Sequence, residues 1–550
     1  MIRRTGGRQR LCGLLAAVLL AAPALAQSPD EAFLAAVGQL REASFSDKER
    51  IAASLVDSRH ARTRDVLTAL LEDRLYVRAS DLRVFVTRPA DENASSLDLV
   101  DPLTMKDVGT AARDSLERIG SNNRLRRSLR IAVARFDLAN PDAGARLRAV
   151  GEMLRSLDDS SAAMLKDRAA VETDRRVKAE IDTGLALVAL DGADQRERLA
   201  AVHTLAGRAR PQVRNRLAAL LEKNADGGFV EADAAVRDAA AAALARIDRV
   251  LKLYGGVETL FFGLSLGSVL VLVAIGLAIT FGVMGVINMA HGELMMLGAY
   301  TTYVVQLLMP RHIGVSIVVA IPAAFLVAGL AGVVLERCVI RFLYGRPLET
   351  LLATFGVSLV LQQLVRSIFT ANNRDVETPA WMSGTLQVND AFAVTYNRLY
   401  IVIFTMVVFA ILLAVLKRTT LGLQIRAVSQ NRAMAKAMGI RSEWVDALTF
   451  GLGSGIAGVA GVALSQLTNV GPNLGQAYII DSFMVVVFGG VGNLWGTLIG
   501  GMSMGIVNKL LEPYAGAVLG KILVLVALIL FIQRRPRGLF PQTGRAAESQ

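Results

Sequence analysis

Three polar residues lie inside a segment that is otherwise apolar enough to enter a bilayer, "GVMGVINMAHGELMMLGAY" at 282–300. They are Asn288, His291 and Glu293. An ionisable side chain at bilayer depth costs about 2.5 to 3.5 kcal/mol even on lenient insertion scales, so it normally faces protein or a water-filled path. Amide and imidazole groups can also offer hydrogen bonds to a small polar solute. We therefore expect either a solute pathway or a set of bonds that join packed helices.

The spacing of these residues restricts how they can meet. On a regular helix Asn288 and His291 are about 60° apart, whereas His291 and Glu293 are about 160° apart. Either the helix is interrupted at Gly292, or His291 and Glu293 face different neighbours. If the segment enters the bilayer near Val283, Glu293 lies about 15 Å deep, near the middle of an apolar core about 30 Å thick. We interpret Glu293 as a structural anchor, because a fixed charge does little for a neutral solute.

The elements that position this cluster belong to the second of two unlike halves. The chain has 550 residues, of which 53% are hydrophobic and 20% charged. Residues 28–252 are rich in Ala, Arg and acidic residues and contain no run that could span a bilayer, whereas long apolar blocks follow one another over 259–533. We predict an all-α fold made of an exported repeat domain (27–255), a membrane domain (256–541) and a cytoplasmic tail (542–550).

The N-terminus has the features of a secretory signal peptide. Four arginines precede the apolar run 11–22, and "ALA" at 24–26 provides a small-residue cleavage site. We predict cleavage after Ala26, with a permanent membrane anchor as the alternative. Residues 27–255 are then expected outside the cytoplasmic membrane. The chain has two cysteines, Cys12 and Cys338, which allow neither a disulfide framework nor a cysteine-based metal site.

The exported part shows a repeated helical theme. In each of four segments Val or Leu stands beside Arg and is followed by Ala or Leu at spacings of three and four; they are 61–75, 196–209, 210–224 and 233–247. This pattern predicts HEAT-type helical repeats, in which each helix pair buries its apolar face on the next pair. Such a stack presents a long surface that could hold a partner, and a solvated spacer is the alternative.

The membrane part is predicted to contain nine apolar segments. They lie at about 259–281, 283–308, 313–338, 349–370, 398–416, 446–468, 479–490, 494–511 and 516–533, and the seventh is short enough to be a half-helix or re-entrant piece. If the chain starts outside and crosses the membrane nine times, the basic clusters at 336–346, 417–441 and 534–540 all lie in the cytoplasm, where basic residues are expected. The net charge of +12 therefore reflects orientation, and we expect no nucleic-acid partner.

Several motifs in this part resemble the integral-membrane permeases of branched-chain amino acid ABC importers. These are the segment 282–300, "VVVFGGVGNLWGTLIGG" at 485–501 and the terminal "RRPRGLF" at 534–540. The long exported domain and "LTNVGPNLGQAYIIDSFMVVVFGG" at 467–490 look more like the urea-importer branch of that family. The resemblance implies a transport subunit of the bacterial inner membrane that imports a small polar solute, urea first and a branched-chain amino acid or short amide as the alternative.

The resemblance also implies partners. Such permeases are not enzymes and bind no cofactor; ATP is bound by two cytoplasmic subunits, and a second permease subunit and a periplasmic solute-binding protein complete the importer. In agreement, the sequence has no G-x-x-x-x-G-K-[ST] loop. The segment 426–440 is similar to the loop that docks on the ATP-binding subunit. Its candidate residues are Arg426, the small apolar face Ala433, Ala437 and Ile440, and the helix exit at Gly439.

Two other function classes remain open at this point. A proton-coupled carrier would use Glu293 and His291 as a relay, but it would not need a coupling loop. A urea channel would need neither that loop nor the exported domain.

Overall fold

The computed structural model describes residues 28–88, 96–155, 157–224, 227–389 and 391–540. The predicted signal peptide (1–26), Cys12 and the predicted tail (542–550) lie outside these ranges. The chain divides into two compact units, Met1–Ile247 and Asp248–Gln550. Proposed domain limits at 26, 255 and 541 stay predictions.

The first unit is mostly helical but contains a sheet. Its helices are α1 (Pro29–Gln39), α2 (Phe45–Asp57), α3 (Thr63–Leu71), α4 (Asn123–Asp137), α5 (Ala143–Leu154), α6 (Asp159–Val171), α7 (Arg175–Ala189), α8 (Gln195–Leu205) and α9 (Pro211–Ala219), followed by the start of α10 (Ala234–Met284). Between α3 and α4 run β1 (Leu75–Arg78), β2 (Val84–Thr87), β3 (Ser96–Val100), β4 (Asp107–Ala112) and β5 (Leu116–Arg118). These strands form one antiparallel sheet in the order β4-β3-β2-β1-β5.

The expectation of an all-α fold was therefore wrong for residues 75–118, and it was also wrong for a short two-stranded hairpin between residues 385 and 395 of the second unit. The strands are three to six residues long, which is too short for a period-2 pattern to stand out against the helical theme around it. The sequence did carry a signal in "VFVT", a run of β-branched and aromatic residues, all four of which are buried in β2. Leu75 and Val86 pair across the sheet and pack in the same core as α1 to α4.

A repeated local motif stabilises the second part of this unit. In each copy an Asp accepts one or two hydrogen bonds from backbone amides in the first turn of a helix, and an Arg four residues later donates to the two carbonyls that precede this Asp. The copies are Asp142 with Arg146, Asp194 with Arg198 and Asp233 with Arg237. Two of these arginines also bind a glutamate in a bidentate pair, Arg146 with Glu172 and Arg198 with Glu231. The HEAT-type assignment of these helices stays a prediction.

The second unit contains the apolar helices. They are the remainder of α10, then α11 (His291–Leu308), α12 (Ile313–Cys338), α13 (Pro347–Phe369), α14 (Tyr396–Arg418), α15 (Thr420–Gln430), α16 (Arg432–Ala437), α17 (Ser442–Ser465), α18 (Leu474–Gly489) and α19 (Leu494–Arg534). A hairpin of β6 (Thr385–Asn389) and β7 (Phe392–Thr395) precedes α14. Among the residues that the structure describes, six helices are long and apolar enough to cross a membrane: α10, α12 with its extension to Phe342, α13, α14, α17 and α19.

Helix α17 lies at the centre of this unit. Its most apolar stretch is 89% buried inside the fold, against 17% for that of α19. Small residues allow the close approach of its neighbours: a Cβ on Gly298 of α11 would lie 2.0 Å from the carbonyl oxygen of Gly458, and a Cβ on Gly461 would lie 2.1 Å from that of Met295. Close backbone contact through small residues is how helices associate when lipid removes the hydrophobic driving force.

Each of the nine predicted apolar segments lies largely on a helix, with two differences. Segment 283–308 begins with the last two residues of α10 and becomes helical again only at His291, and segments eight and nine both belong to α19. The backbone of α19 leaves helical geometry at Gly516 (φ 75°, ψ 165°), a conformation that glycine adopts without a steric penalty. The count of nine membrane passes stays a prediction.

Candidate functional site

The polar cluster begins within a short break between α10 and α11. Residues 285–288 have no regular structure, and Gly285 has a positive φ of 65°. The Asn288 side-chain oxygen accepts a hydrogen bond from the amide of Ala290 at 3.0 Å, and the amide of Met289 donates to Thr354 Oγ1 at 3.1 Å. The helical structure is thus interrupted before His291, and Gly292 lies in the first turn of α11 instead of at a break.

His291 points back to α10. Its Nε2 lies 3.0 Å from the carbonyl oxygen of Val273. Because a carbonyl oxygen only accepts, Nε2 must carry the proton and donate. A Cβ on Gly276, one turn further along α10, would lie 2.9 Å from the imidazole ring, so the ring fits only against a residue without a side chain.

Glu293 points to α13 instead. Its Oε1 accepts hydrogen bonds from Ser358 Oγ at 3.0 Å and from Gln362 Nε2 at 2.8 Å. His291 and Glu293 therefore face different neighbours, as the helical angles require when there is no break between them. Among the described residues no hydrogen bond joins the two side chains, so they do not form a direct proton relay in this conformation.

The cluster is closed to solvent in this conformation. Asn288, His291 and Glu293 are each at most 1% exposed. One polar atom of each side chain has no hydrogen-bond partner among the described residues, namely Asn288 Nδ2, His291 Nδ1 and Glu293 Oε2. A buried polar atom without a partner is unfavourable by about 1 to 3 kcal/mol. His291 and Glu293 each join α11 to another helix through one atom, Asn288 binds only the nearby backbone, and one polar atom of each side chain is unused.

The first turns of α11 and α18 touch beside the cluster. A Cβ on Gly292 would lie 2.5 Å from the carbonyl oxygen of Gly475, and a Cβ on Gly475 would lie 2.7 Å from Glu293 Oε2. Helix α18 is the short seventh segment, and it begins at Leu474 after the loop 466–473. The unpartnered carboxylate oxygen of Glu293 therefore lies against the backbone of this short helix.

Sequence reasoning missed the partners of Glu293, although a signal for them was present. The apolar helix α13 carries Thr350, Thr354, Ser358 and Gln362 at intervals of four, and all of them are buried. Residues four apart share one face of a helix. A polar stripe inside an apolar segment indicates a face that packs on protein, since lipid cannot satisfy it.

The predicted coupling segment forms two short helices, and its apolar face differs from the one expected. Arg426 lies on α15, and Ala433 and Ala437 lie on α16. Gly439 has a φ of 85° at the exit of α16, in agreement with the sharp turn expected there. Ala433 and Ala437 are exposed, whereas Ile440 is partly buried in a cluster with Ala435 on the opposite side. The expected face of Ala433, Ala437 and Ile440 is therefore split between surface and core.

Two methionines complete the exposed face of α16. Met434 is 61% and Met438 is 77% exposed, next to Ala433 and Ala437. Flexible methionine side chains adapt to the surface of a partner. We call these four residues the α16 face.

An ion pair fixes α16 to the central helix. Arg432, the first residue of α16, binds Asp446 of α17, and the Asp446 side chain is fully buried. The guanidinium also lies over the ring of Tyr344, 4.8 Å from its centroid. Tyr344 in turn donates to Glu336 at the end of α12. Within the described residues no group of three His, Cys, Asp or Glu side chains could hold a metal ion.

The apolar unit matches a known family of membrane proteins. The model of the branched-chain amino acid transport system permease component matches residues 259–532. The high-affinity branched-chain amino acid transport system permease protein LivH of Salmonella typhimurium is 31% identical over 293 residues, which cover 51% of this chain and 94% of the relative. BraD of Pseudomonas aeruginosa, named for the same transport system, is 28% identical over 298 residues, covering 52% and 96%. The chain belongs to this permease family.

The family match contains the polar cluster, α13, the coupling segment and the α19 kink. It does not include residues 1–258, and the relatives align with about half of this chain. The ribose import permease protein RbsC of Escherichia coli is a more distant relative at 24% identity, covering 50% of this chain and 85% of the relative. No solved structure matches the chain significantly.

Proposed function

We propose that this chain is the transmembrane permease subunit of an ATP-driven importer of the bacterial inner membrane. The observation that carries the proposal is the family match over 259–532 together with the six helices suited to crossing a membrane. ATP is bound by separate cytoplasmic subunits, and a second permease subunit and a periplasmic solute-binding protein complete the importer. The first unit lies in the periplasm after removal of residues 1–26.

The α16 face supports docking of an ATP-binding subunit. It lies between α14 and α17, in the basic segment 417–441 that the distribution of Lys and Arg predicts to be cytoplasmic. Its exposed Ala and Met side chains would be covered by a partner. Movement of α16 would reach α17 through the Arg432 and Asp446 pair, and α17 packs directly on α11 beside the polar cluster.

The relatives favour a branched-chain amino acid as the solute, because they are named for that transport system. Urea is the second candidate. It is favoured by the resemblance of segment 467–490 to urea-importer permeases and by the additional N-terminal unit, to which the alignment with the amino acid permeases does not extend.

The closed, hydrogen-bonded polar cluster supports an anchoring role for Glu293 in this conformation. A pathway through Asn288 and His291 requires a second conformation, in which their unused polar atoms reach a solute. Such opening is what an ATP-driven cycle provides. A simple channel would have no need for the buried ion pair that fixes α16.

Reconstitution of the complete importer tests the proposal. Proteoliposomes with both permease subunits, the ATP-binding subunits and the solute-binding protein are given leucine or urea, and uptake and ATP hydrolysis are measured together. We expect one of the two solutes to stimulate hydrolysis and uptake, and ATP depletion to stop uptake. Uptake of urea by this chain alone without ATP would favour a channel, and uptake driven by a proton gradient alone would favour a carrier.

A further inference from the structure

A cavity of about 430 Å³ lies where four helix ends meet, away from the polar cluster. Its walls come from the end of α10, the end of α14, the helix α15 and the start of α19. The floor is apolar, with Ile279, Leu413 and Ile425 among its residues. The rim is polar and includes Lys417, Arg426, Ser429 and Gln430. A small amphipathic molecule fits such a lining.

The charge of the cavity is of one sign. Two lining residues, Lys417 and Arg426, are cationic and none is acidic. The end of α14, all of α15 and the turn before α19 contain no Asp or Glu. Within the part of the chain that the structure describes, neither Lys417 nor Arg426 pairs with a carboxylate; Arg426 donates to the carbonyl oxygen of Leu416 through one of its nitrogens. The remaining donors of the guanidinium are free to bind an anion.

The position of the cavity at the membrane surface indicates that the anion is the head group of a lipid. Lys417 and Arg418 end the apolar helix α14, at a level where basic residues flank a bilayer on its cytoplasmic side. Trp495 lines the cavity, is 50% exposed and packs edge-on against Phe409 at 5.2 Å. An exposed Trp beside basic residues is typical of the membrane interface, where one end of the ring is apolar and the other hydrated. Basic pockets between membrane helices on the cytoplasmic side bind anionic lipid head groups.

We propose that this cavity binds one anionic phospholipid, with its phosphate between Lys417 and Arg426 and its acyl chains along Leu413 and Trp495. The site joins α15, which leads into the α16 face, to α10 and α19. The lipid therefore stabilises the base of the predicted coupling segment against the membrane helices. This inference needs only the membrane location of the second unit and does not depend on which solute the importer carries.

Native mass spectrometry of the full-length chain in detergent tests the site. The probes are dioleoyl phosphatidylglycerol, dioleoyl phosphatidylcholine and, as a head group without acyl chains, glycerol 3-phosphate. We expect one phosphatidylglycerol to bind with at least about tenfold preference over phosphatidylcholine, since each basic residue near an anionic surface contributes about 1 kcal/mol. Glycerol 3-phosphate should not compete at equal concentration.

Three variants distinguish lipid binding in this cavity from nonspecific electrostatic attraction to the basic residues. The double change Lys417→Gln with Arg426→Gln should abolish the preference, whereas Arg418→Gln should keep it, because Arg418 carries the same charge next to Lys417 but does not line the cavity. The double variant also loses the hydrogen bond from Arg426 to the carbonyl oxygen of Leu416, which by itself would destabilise α15. A second variant, Gln430→Glu, avoids this effect because it adds an anion at the rim of the cavity without removing a basic residue. It should weaken phosphatidylglycerol binding about tenfold.

Four results would overturn the proposal. They are equal binding of the two lipids, an equal loss in the Arg418→Gln variant, tight binding of glycerol 3-phosphate, and release of the lipid when the purified ATP-binding subunit is added. The last result would assign the cavity to a subunit interface.

Discussion

At the scale of single residues, Glu293 joins α11 to α13 through one carboxylate oxygen. Both donors to that oxygen, Ser358 and Gln362, are buried and would lose their acceptor if the side chain were removed. The other oxygen has no partner and lies near the backbone of Gly475. The residue is thus a hydrogen-bond acceptor with one atom in use.

We expect Glu293→Gln to be tolerated much better than Glu293→Ala. Gln keeps a side-chain oxygen for both donors, whereas Ala leaves them unsatisfied at a cost of about 1 to 3 kcal/mol. The thermal midpoint of the purified chain and the rate of solute uptake should both fall in the Ala variant. If Gln were as inactive as Ala while the protein remained equally stable, Glu293 would have to titrate during transport and the carrier mechanism would regain support.

The contact between Gly292 and Gly475 gives a second prediction at this scale. Gly475→Ala places a methyl group 2.5 Å from backbone atoms of Gly292, so α11 and α18 must separate. Overpacking of this kind typically destabilises a protein by about 1 to 3 kcal/mol. Gly356→Ala is the matched control, because Gly356 lies in the apolar helix α13 and its Cβ would meet no atom within 4 Å. A thermal midpoint lowered equally by both variants would contradict the close approach.

At the scale of elements, α16 is held in place by Arg432 and, with the residue that follows it, exposes Ala433, Met434, Ala437 and Met438 to solvent. The buried Asp446 has this one basic partner among the described residues, so the pair fixes the helix at its first turn. Removal of Arg432 would be destabilising, because it would leave the buried Asp446 carboxylate without its partner. The orientation of the α16 face is therefore determined by tertiary contacts.

We expect Ala437→Glu to uncouple ATP hydrolysis from transport without changing the stability of the isolated chain. Ala437 is exposed, so the new carboxylate remains hydrated in the free subunit but is buried when a partner covers the α16 face. Solute uptake per ATP hydrolysed by the reconstituted importer is the measurement. Gln424→Glu, an exposed position on α15 outside this face, is the control. Uptake equal to that of the parent would show that α16 is not the docking surface.

At the scale of the whole molecule, the two units differ in composition and in what they match. The family model begins at residue 259, beyond the first unit, which ends at Ile247. We expect residues 28–247 to fold alone, since they have apolar cores around the sheet and between α4 and α7. Far-UV circular dichroism should show mostly helix with a strand contribution. A spectrum of a disordered chain would contradict this.

The same fragment should lose stability in acid through Glu172. Bidentate hydrogen bonds from Arg146 hold the pKa of the Glu172 carboxyl at about 2, below its ordinary value. A depressed pKa contributes stability above the pKa of the unfolded chain, near 4.5, and this contribution is lost as the pH falls towards 2. In urea titrations Glu172→Gln should be less stable than the parent by about 1 to 3 kcal/mol at pH 7, and the difference should shrink below pH 4.5. A difference that is constant with pH would contradict the assignment.

The sequence by itself determined the division into two unlike parts, the apolar segments and the polar cluster at 288–293. These features depend on composition and on residue spacings of a few positions, so a short stretch of sequence is enough to reveal them. It also predicted that His291 and Glu293 must diverge on an unbroken helix. Of the two alternatives that the spacing left open, the structure has the one in which His291 and Glu293 face different neighbours, and the helix break lies at residues 285–288 and not at Gly292. Local sequence does not place the break, because Gly285 and Gly292 are equally permissive until neighbouring helices select one of them.

Only the tertiary structure decided which groups meet. Ser358 is 65 residues from Glu293, and Asp446 binds an arginine 14 residues away in another helix. The sheet at 75–118 forms because short strands satisfy one another's backbone groups, which no single strand reveals. The α16 face is exposed because Ala435 and Ile440 reach a core built by α15 and α17. These side-chain pairs, strand pairs and exposed faces depend on contacts between distant segments, and local propensity and periodicity contain no information about such contacts.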